Sequence, residues 1–345
     1  MTSRRALLVA AASVAGLSAC APVIQRPGLA ALGFRGPRLE DDGLISFDGA
    51  RLGLMRWLPR DGEPRQVIVA LHGMNDYSNA FRLAGEAWAG QGIATYALDV
   101  RGFGRSPDRG VWAPAELVIE DLRTAVALVR ERHPTARISV AGVSMGGALA
   151  IAAMASARPP AAESLLLFAP AVWGWSSQPL PNRTMLWITA HTARSWVVKP
   201  PEWLVERVQP SDNVDELRRM GRDPLMIWGA RSDTVYGLVG AMEKGWSLIG
   251  QVKVPVAYFY GANDHIIPKD ASFEAAARLK PGDRTAYYAQ GWHLLLVDRQ
   301  AAVVWRDAAA FLRDPTAAWP SNAPLIPGVQ SLPRGLRTQR KASGL

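Results

Sequence analysis

The stretch Gly142-Val143-Ser144-Met145-Gly146 stands between Arg137–Ala141, an apolar β-type run, and Met145–Ala157, a run of small helix-compatible residues. A G-x-S-x-G sequence in that setting predicts a strand-to-helix turn tight enough to thrust the serine side chain outward. The flanking positions must then be glycine, because a Cβ there would meet neighbouring backbone. Such a turn needs a strand inside a sheet and a helix that leaves its carboxyl end at once. That requirement narrows the chain to parallel α/β architectures, whose chemistry sits at the carboxyl ends of the strands.

The surrounding sequence keeps to that pattern. Ile45–Asp48 and Arg51–Leu58 flank Gly49-Ala50 as an N-terminal hairpin. Gln66–Leu71, Ile93–Leu98, Ser164–Phe168, Val256–Tyr260 and Arg284–Ala289 are short apolar runs suited to buried strands. Leu117, Leu122, Val126 and Val129 keep helical spacing from Pro114 to Arg132, and a further helix is expected near Asp298–Arg313. The prediction is an α/β fold with a mostly parallel central sheet, helices on both faces, and a helical cap inserted after the sixth strand. The cap is residues 171–251, too long for a plain loop, with seven of the chain's 13 tryptophans. Most of those rings are expected to form the core of the cap, others to line an apolar pocket or meet a membrane interface.

A serine hydroxyl is a weak nucleophile and needs a base that is itself held by an acid. Behind a turn of this kind the chain order is serine, acid, histidine. Of five histidines only His191, His265 and His293 follow Ser144. His191 falls inside the cap, and His265 adjoins Asp264, leaving no acid between them in order. His293, in Ala289-Gln290-Gly291-Trp292-His293, is therefore the candidate base. Asp264, at the end of the VAYFYG strand, is the candidate acid. Asp223 and Asp233 fall in the cap, Asp270 opens a helix as an N-cap, and Asp99 is expected to order the Arg101–Gly104 turn. Attack on a carbonyl also needs donors for the developing oxyanion. These are the Met145 N–H, directly after the nucleophile, and the Met74 N–H in His72-Gly73-Met74. His72 is read as a brace for that loop. No metal or organic cofactor is implied.

The ends read differently from the body. Arg4-Arg5 precede an apolar run, Ala6–Ala19, too short for a bilayer core of roughly 30 Å and suited to an export leader. Leu17-Ser18-Ala19-Cys20 resembles the bacterial lipoprotein box, and Cys20 is the one cysteine of the chain, so an intramolecular disulfide is excluded. The resemblance implies lipid attachment at Cys20 and a periplasm-facing place in the cell envelope; Ala21 in the next position favours the outer over the inner membrane. From Pro315 the chain carries five prolines and four basic residues without an acid and is expected to be a disordered tail. Six of the 39 Lys and Arg residues lie at the two extremes, leaving 33 against 30 acidic residues between them. The net charge of +9 therefore implies no basic face, and a nucleic-acid partner is not expected.

The chain resembles an α/β-hydrolase of the monoacylglycerol lipase and lysophospholipase branch. The resemblance rests on LHGMNDYS, YALDVRGFGRSPD, VAGVSMGGALA, DPLMIWGARS, VPVAYFYGANDHIIP and GWHLLLVDR, in family order from about residue 44 to 313. It implies Ser144 as nucleophile, Asp264 as acid, His293 as base, Met74 and Met145 as oxyanion donors, and a lipid-like monoester as substrate. A peptidase or amidase of the same fold, and a catalytically silent, membrane-tethered binding module, are the alternatives. The chain then divides into a leader (1–19), a tether (20–42), a hydrolase core (43–170 and 252–314), the cap (171–251) and the tail (315–345).

Overall fold

The computed structural model describes residues 21–30, 32–199 and 208–329. The leader, Cys20 and the last part of the expected tail lie outside the described residues. The strands are Arg38–Leu39 (β1), Gly43–Ile45 (β2), Arg51–Trp57 (β3), Gln66–Leu71 (β4), Ile93–Leu98 (β5), Arg137–Val143 (β6) and Ser164–Phe168 (β7), then Val197–Val198 (β8), Ala230–Arg231 (β9), Val256–Gly261 (β10) and Arg284–Tyr288 (β11). Nine of them form one sheet in the order β1-β2-β3-β5-β4-β6-β7-β10-β11, while β8 and β9 pair separately. From β5 to β11 every pairing is parallel, and β1, β2 and β3 add an antiparallel edge. The hairpin differs in detail from the sequence reading. Its first strand ends at Ile45, and Ser46–Ala50 form the turn, which Gly49 permits at φ 83°.

Every residue of β5, β7 and β10 is buried. Because successive side chains of a strand point to opposite faces, that pattern requires cover on both faces. The helices that supply it are Arg82–Ala89 (α1), Ala115–Arg132 (α2) and Met145–Met154 (α3), followed further along by Lys269–Ala277 (α7) and Ala301–Arg313 (α8). Helix α1 turns Ala84, Gly85 and Trp88 inward at helical spacing, and Gly85 lies against the Trp57 ring, where a Cβ would come within 2.6 Å. On α7 the N-cap is Pro268 and Asp270 lies in the first turn without a capping hydrogen bond, so the N-cap reading of Asp270 is corrected.

Between β7 and β10 the cap carries Leu180–Thr192 (α4), Val214–Gly221 (α5) and Ser232–Leu248 (α6). Helix α6 packs on α3, with Gly245 set against Ala148 so closely that a Cβ would lie 2.9 Å from its Cα. The helix that follows the nucleophile is thus clamped by a helix of the insertion. The tryptophans are less buried than the sequence suggests. Trp173, Trp175 and Trp246 pack partly buried against the core, whereas Trp187, Trp196 and Trp228 are exposed; Trp203 lies outside the described residues.

Two terminal expectations are corrected. Residues 21–28 are docked rather than a free tether: Gln25 is buried, its amide donates to the Trp112 carbonyl at 2.8 Å, and the Gly28 amide donates to Asp48 at 2.7 Å. Residues 315–329 are packed rather than disordered. Trp319 and Ile326 are buried, Trp319 Nε1 donates to the Thr285 carbonyl at 2.8 Å, and the Tyr287 amide donates to the Pro324 carbonyl at 2.8 Å. The physical reason is that β11 is an edge strand. Its open backbone groups and apolar flank accept an extended, proline-rich partner that composition alone marks as unstructured.

Candidate active site

The turn at Ser144 is built as the glycine spacing requires. Ser144 holds φ 50° and ψ −117°, a conformation sparsely populated by L-residues, directly between β6 and α3. A Cβ on Gly142 would lie 2.4 Å from the Gly146 carbonyl oxygen, and one on Gly146 would lie 2.2 Å from the Leu71 carbonyl oxygen. Both distances are far inside contact, so neither position accepts a side chain without moving backbone. The strain at Ser144 is held by the hydrogen bond from its amide to the Phe168 carbonyl at 3.0 Å.

That bond is the first of a series running along the carboxyl edge of the sheet. The Ala169 amide donates to Phe259 at 2.9 Å, the Ala262 amide to Tyr288 at 2.9 Å, and the Asn263 amide to Gly291 at 2.8 Å. Backbone bonds therefore fix the loops after β6, β7, β10 and β11 relative to one another. Asp264 and His293 sit on the last two of these loops and meet directly: His293 Nδ1 lies 2.9 Å from Asp264 Oδ2. The other carboxylate oxygen, Oδ1, accepts from the Ile266 and Ile267 amides at 2.8 and 2.9 Å. With its carboxylate held at three points, Asp264 has one orientation, and so does the imidazole it holds. Ser144, Asp264 and His293 are 8%, 4% and 4% exposed, in a site largely closed to bulk water.

One other histidine meets a carboxylate, His133, whose Nδ1 lies 3.1 Å from the exposed Glu63 Oε2, but its Nε2 is taken by the Tyr96 hydroxyl at 2.8 Å, away from the serine turn. His191 is on α4 with Nδ1 bonded to the Trp187 carbonyl, and His265 is exposed, edge-on to Trp292. His72 is fully buried, with Nδ1 donating to the Gly73 carbonyl at 2.7 Å and Nε2 accepting from the Val100 amide at 2.9 Å. Burial pushes its pKa down, and both ring nitrogens are occupied, so it braces the loop and has no free atom for proton transfer. Asp99 accepts from Arg105 and from the Ser78 amide, tying the 101–105 turn to the same loop.

Met74 follows that brace, and Asn75 beside it takes the left-handed φ of 65°. Among the described residues, neither the Met74 amide nor the Met145 amide donates to a protein group. Two unspent N–H donors thus flank the serine turn, one from each side of the sheet's carboxyl edge.

Two sets of supporting residues were not singled out from the sequence. Asp298, five positions after His293, accepts from the Trp292 amide at 2.8 Å and from the Ser211 hydroxyl at 2.6 Å. Burial raises its pKa to about 6. On the other side, Asp76 is buried behind Met74 and its pKa is raised to about 7, again chiefly by burial. Neighbouring Tyr77 donates to Asp223 of the cap at 2.7 Å, and the Ile227 amide donates to the Asn75 carbonyl at 3.0 Å. The cap is therefore bonded to both loops that flank the serine. Asp298 lies within the GWHLLLVDR motif and Asp76 within LHGMNDYS, and those motifs were the available signals.

Comparison with known proteins places this geometry in context. The family model described as "Serine aminopeptidase, S33" matches residues 62–300. The chain is 26% identical over 243 residues to a monoacylglycerol lipase of Mycolicibacterium smegmatis, covering 66% of this chain and 80% of that one. It is 24% identical over 256 residues to the human monoglyceride lipase, covering 73% and 82% respectively. Among solved structures, the Paleococcus ferrophilus monoacylglycerol lipase superposes with a TM-score of 0.65 at 21% identity, over 76% of this chain and 99% of that one. A soluble variant of the Saccharomyces cerevisiae monoglyceride lipase superposes with a TM-score of 0.66 at 18% identity, over 85% and 100%. These likenesses carry the α/β-hydrolase fold.

Proposed function

The chain belongs to the serine aminopeptidase, S33 family of α/β-hydrolases, and from that premise we propose that it is a serine hydrolase cleaving carboxylic esters through an acyl-enzyme on Ser144. The observation that carries the reading is the His293–Asp264 hydrogen bond of 2.9 Å on loops tied by backbone bonds to the strained Ser144 turn. Asp264 holds Nδ1–H, which leaves Nε2 as the free base. His293 takes the Ser144 proton as Oγ attacks the carbonyl carbon, then delivers it to the leaving alcohol. A water activated by the same histidine hydrolyses the acyl-enzyme. The Met74 and Met145 amides stabilise the oxyanion, each typically worth about 2.7–4 kcal/mol in such sites.

The substrate proposed is a lipid-like monoester such as a monoacylglycerol or lysophospholipid. Support comes from the two lipase relatives and from the aromatic, apolar character of the cap. The family's own description favours a second reading, a peptidase with the same catalytic groups. Hydrolysis of monoacylglycerols against aminoacyl-naphthylamides, with Ser144→Ala as control, separates the two; faster amide cleavage refutes the lipid ester reading. Failure of the wild-type chain to react with any ester or with a fluorophosphonate probe refutes both and leaves a silent binding fold.

Export and anchoring at Cys20 complete the proposal: a lipoprotein of the cell envelope, facing the periplasm, on the outer rather than the inner membrane. Its support is the leader and the box ending at Cys20. Mass spectrometry of Cys20 tests it directly, and an unmodified thiol on the processed chain overturns it without touching the hydrolase reading.

A further inference from the structure

Two non-glycine residues with left-handed backbone stand side by side at the carboxyl edge of the sheet. Ser144 holds φ 50°, and Ala169, directly after β7, holds φ 43°. The Ser144 amide bonds to the Phe168 carbonyl, one residue before Ala169. Neither residue type favours that conformation, and both keep it because the surrounding structure imposes it. Beyond the turn at Ala169 the chain passes over α3. Pro170 rests on Gly147, where a Cβ would lie 2.7 Å from the proline Cβ. Ala171, buried at 2% exposure, donates its N–H to the Ser144 backbone carbonyl at 2.9 Å.

That carbonyl carries more than one bond. The Gly147 and Ala148 amides share it at 2.9 and 3.2 Å as the first bonds of α3, a bifurcated arrangement common at helix termini. Among the described residues, Ala171 is the donor that reaches it from outside the helix, on an oxygen with two lone pairs. The peptide joining Ser144 to Met145 is trans and planar, so its C=O and N–H point in opposite directions. A bond that fixes the Ser144 carbonyl therefore fixes the direction of the Met145 N–H, one of the two unspent donors beside the serine. It also polarises the peptide and strengthens that N–H as a donor. The segment that supplies the bond is itself anchored. The Ala169 amide is bonded to Phe259 of β10, and the Ser176 amide and hydroxyl both donate to Glu243 Oε2 on α6 at 2.9 Å. Gly174 lies so close to α6 that a Cβ would come within 2.4 Å of Glu243 Cα.

We propose that Ala171, the first residue of the cap, is a positioning residue for the oxyanion site: its amide holds the Ser144–Met145 peptide so that the Met145 N–H faces the developing charge. The proposal rests on the ester-hydrolase reading of Ser144 and deepens it, since it makes the cap a party to the chemical step.

The test replaces Ala171 by L-lactic acid through nonsense suppression, which exchanges the N–H for an ester oxygen and keeps the methyl group. Proline would remove the same N–H but adds ring atoms at a buried position. The matched control is lactic acid at Ala155, which removes the Ala155 amide bond to the Ile151 carbonyl at the far end of α3. Ala171→Gly keeps the amide and should retain the wild-type rate. Active sites are counted by fluorophosphonate labelling taken to completion, so partly folded preparations are compared on one scale. Per counted site, the Ala171 ester should lose about ten- to a hundredfold in kcat for 4-nitrophenyl acetate with KM little changed, the scale for a misplaced catalytic group. Its affinity for a trifluoromethyl ketone, whose adduct with a serine carries the oxyanion, should fall by the same factor. A kcat per site equal to that of the Ala155 ester overturns the proposal. So does a rate loss that the ketone affinity does not follow. A wild-type chain that the fluorophosphonate leaves unlabelled overturns the hydrolase reading and this assignment together, whereas a labelled wild type beside an unimpaired Ala171 ester overturns this assignment alone.

Discussion

The Ser211 hydroxyl donates to Asp298 at 2.6 Å, and the same carboxylate accepts the amide of Trp292, the residue before His293, at 2.8 Å. A cap segment and the histidine loop thus share one buried acceptor. The Leu294 amide bonded to the Pro210 carbonyl and the Asn213 side chain bonded to the Val297 carbonyl run alongside it. Asp298 touches no reacting atom; it positions the loop that does.

Asp298→Ala should therefore leave two buried donors without an acceptor, at about 1–3 kcal/mol each. Displacement of the histidine loop should lower kcat for a soluble ester by roughly ten- to a hundredfold, with KM little changed. Asp298→Asn keeps an acceptor and should recover most of the rate. A purely structural role predicts loss of folded protein with normal kcat per active site, which titration with a fluorophosphonate distinguishes.

Ser144→Ala should abolish fluorophosphonate labelling and reduce turnover of 4-nitrophenyl esters by about 10⁶-fold, the scale for loss of a serine nucleophile. Asp264→Asn should preserve the fold yet lower kcat about 10⁴-fold, because the amide no longer holds His293 in the required tautomer. Near-wild-type labelling in Ser144→Ala, or near-wild-type kcat in Asp264→Asn, contradicts the assignments.

Gly146→Ala should be worse than an ordinary helix substitution. Alanine has the higher helix propensity by about 1 kcal/mol, but its Cβ would lie 2.2 Å from the Leu71 carbonyl oxygen. The backbone clash wins, so the expected outcome is a loss of more than about 3 kcal/mol, or little soluble protein. Gly221→Ala, where nothing lies within 4 Å of the added carbon, is the matched control and should be neutral or stabilising.

Asp76 sets a pH dependence. Burial raises its pKa to about 7 in the folded chain, against about 3.9 when unfolded. A raised carboxyl pKa contributes stability that is complete below pH 4 and is lost as pH rises through 7. The three-unit gap bounds that contribution at about 4 kcal/mol. Asp76→Asn removes the titration, so relative to wild type its stability should improve between pH 4 and pH 8. Urea unfolding at the two pH values measures this, and parallel behaviour of the two proteins refutes it.

The parallel sheet and the serine turn were legible in the chain because both are local: a run such as VAYFYG or a glycine two residues from a serine says what it is within one element. The candidate acid and base followed from chain order and from the small number of histidines after Ser144. The pairing of Asp264 with His293 is a different matter, since it depends on β10 and β11 lying side by side, which only the sheet decides. The same holds for Asp298 and Ser211, which lie 87 residues apart in sequence, and for residues 315–329, whose composition reads as disorder until the open edge of β11 is there to receive them. Asp76 stands within LHGMNDYS, yet its raised pKa is not legible there, because it comes from the burial that the folded chain imposes. Helix α4 is the converse case. Its Trp187 is one of the cap rings whose expected place is the cap core, and only the tertiary structure leaves it 52% exposed, because α6 rather than α4 packs against α3.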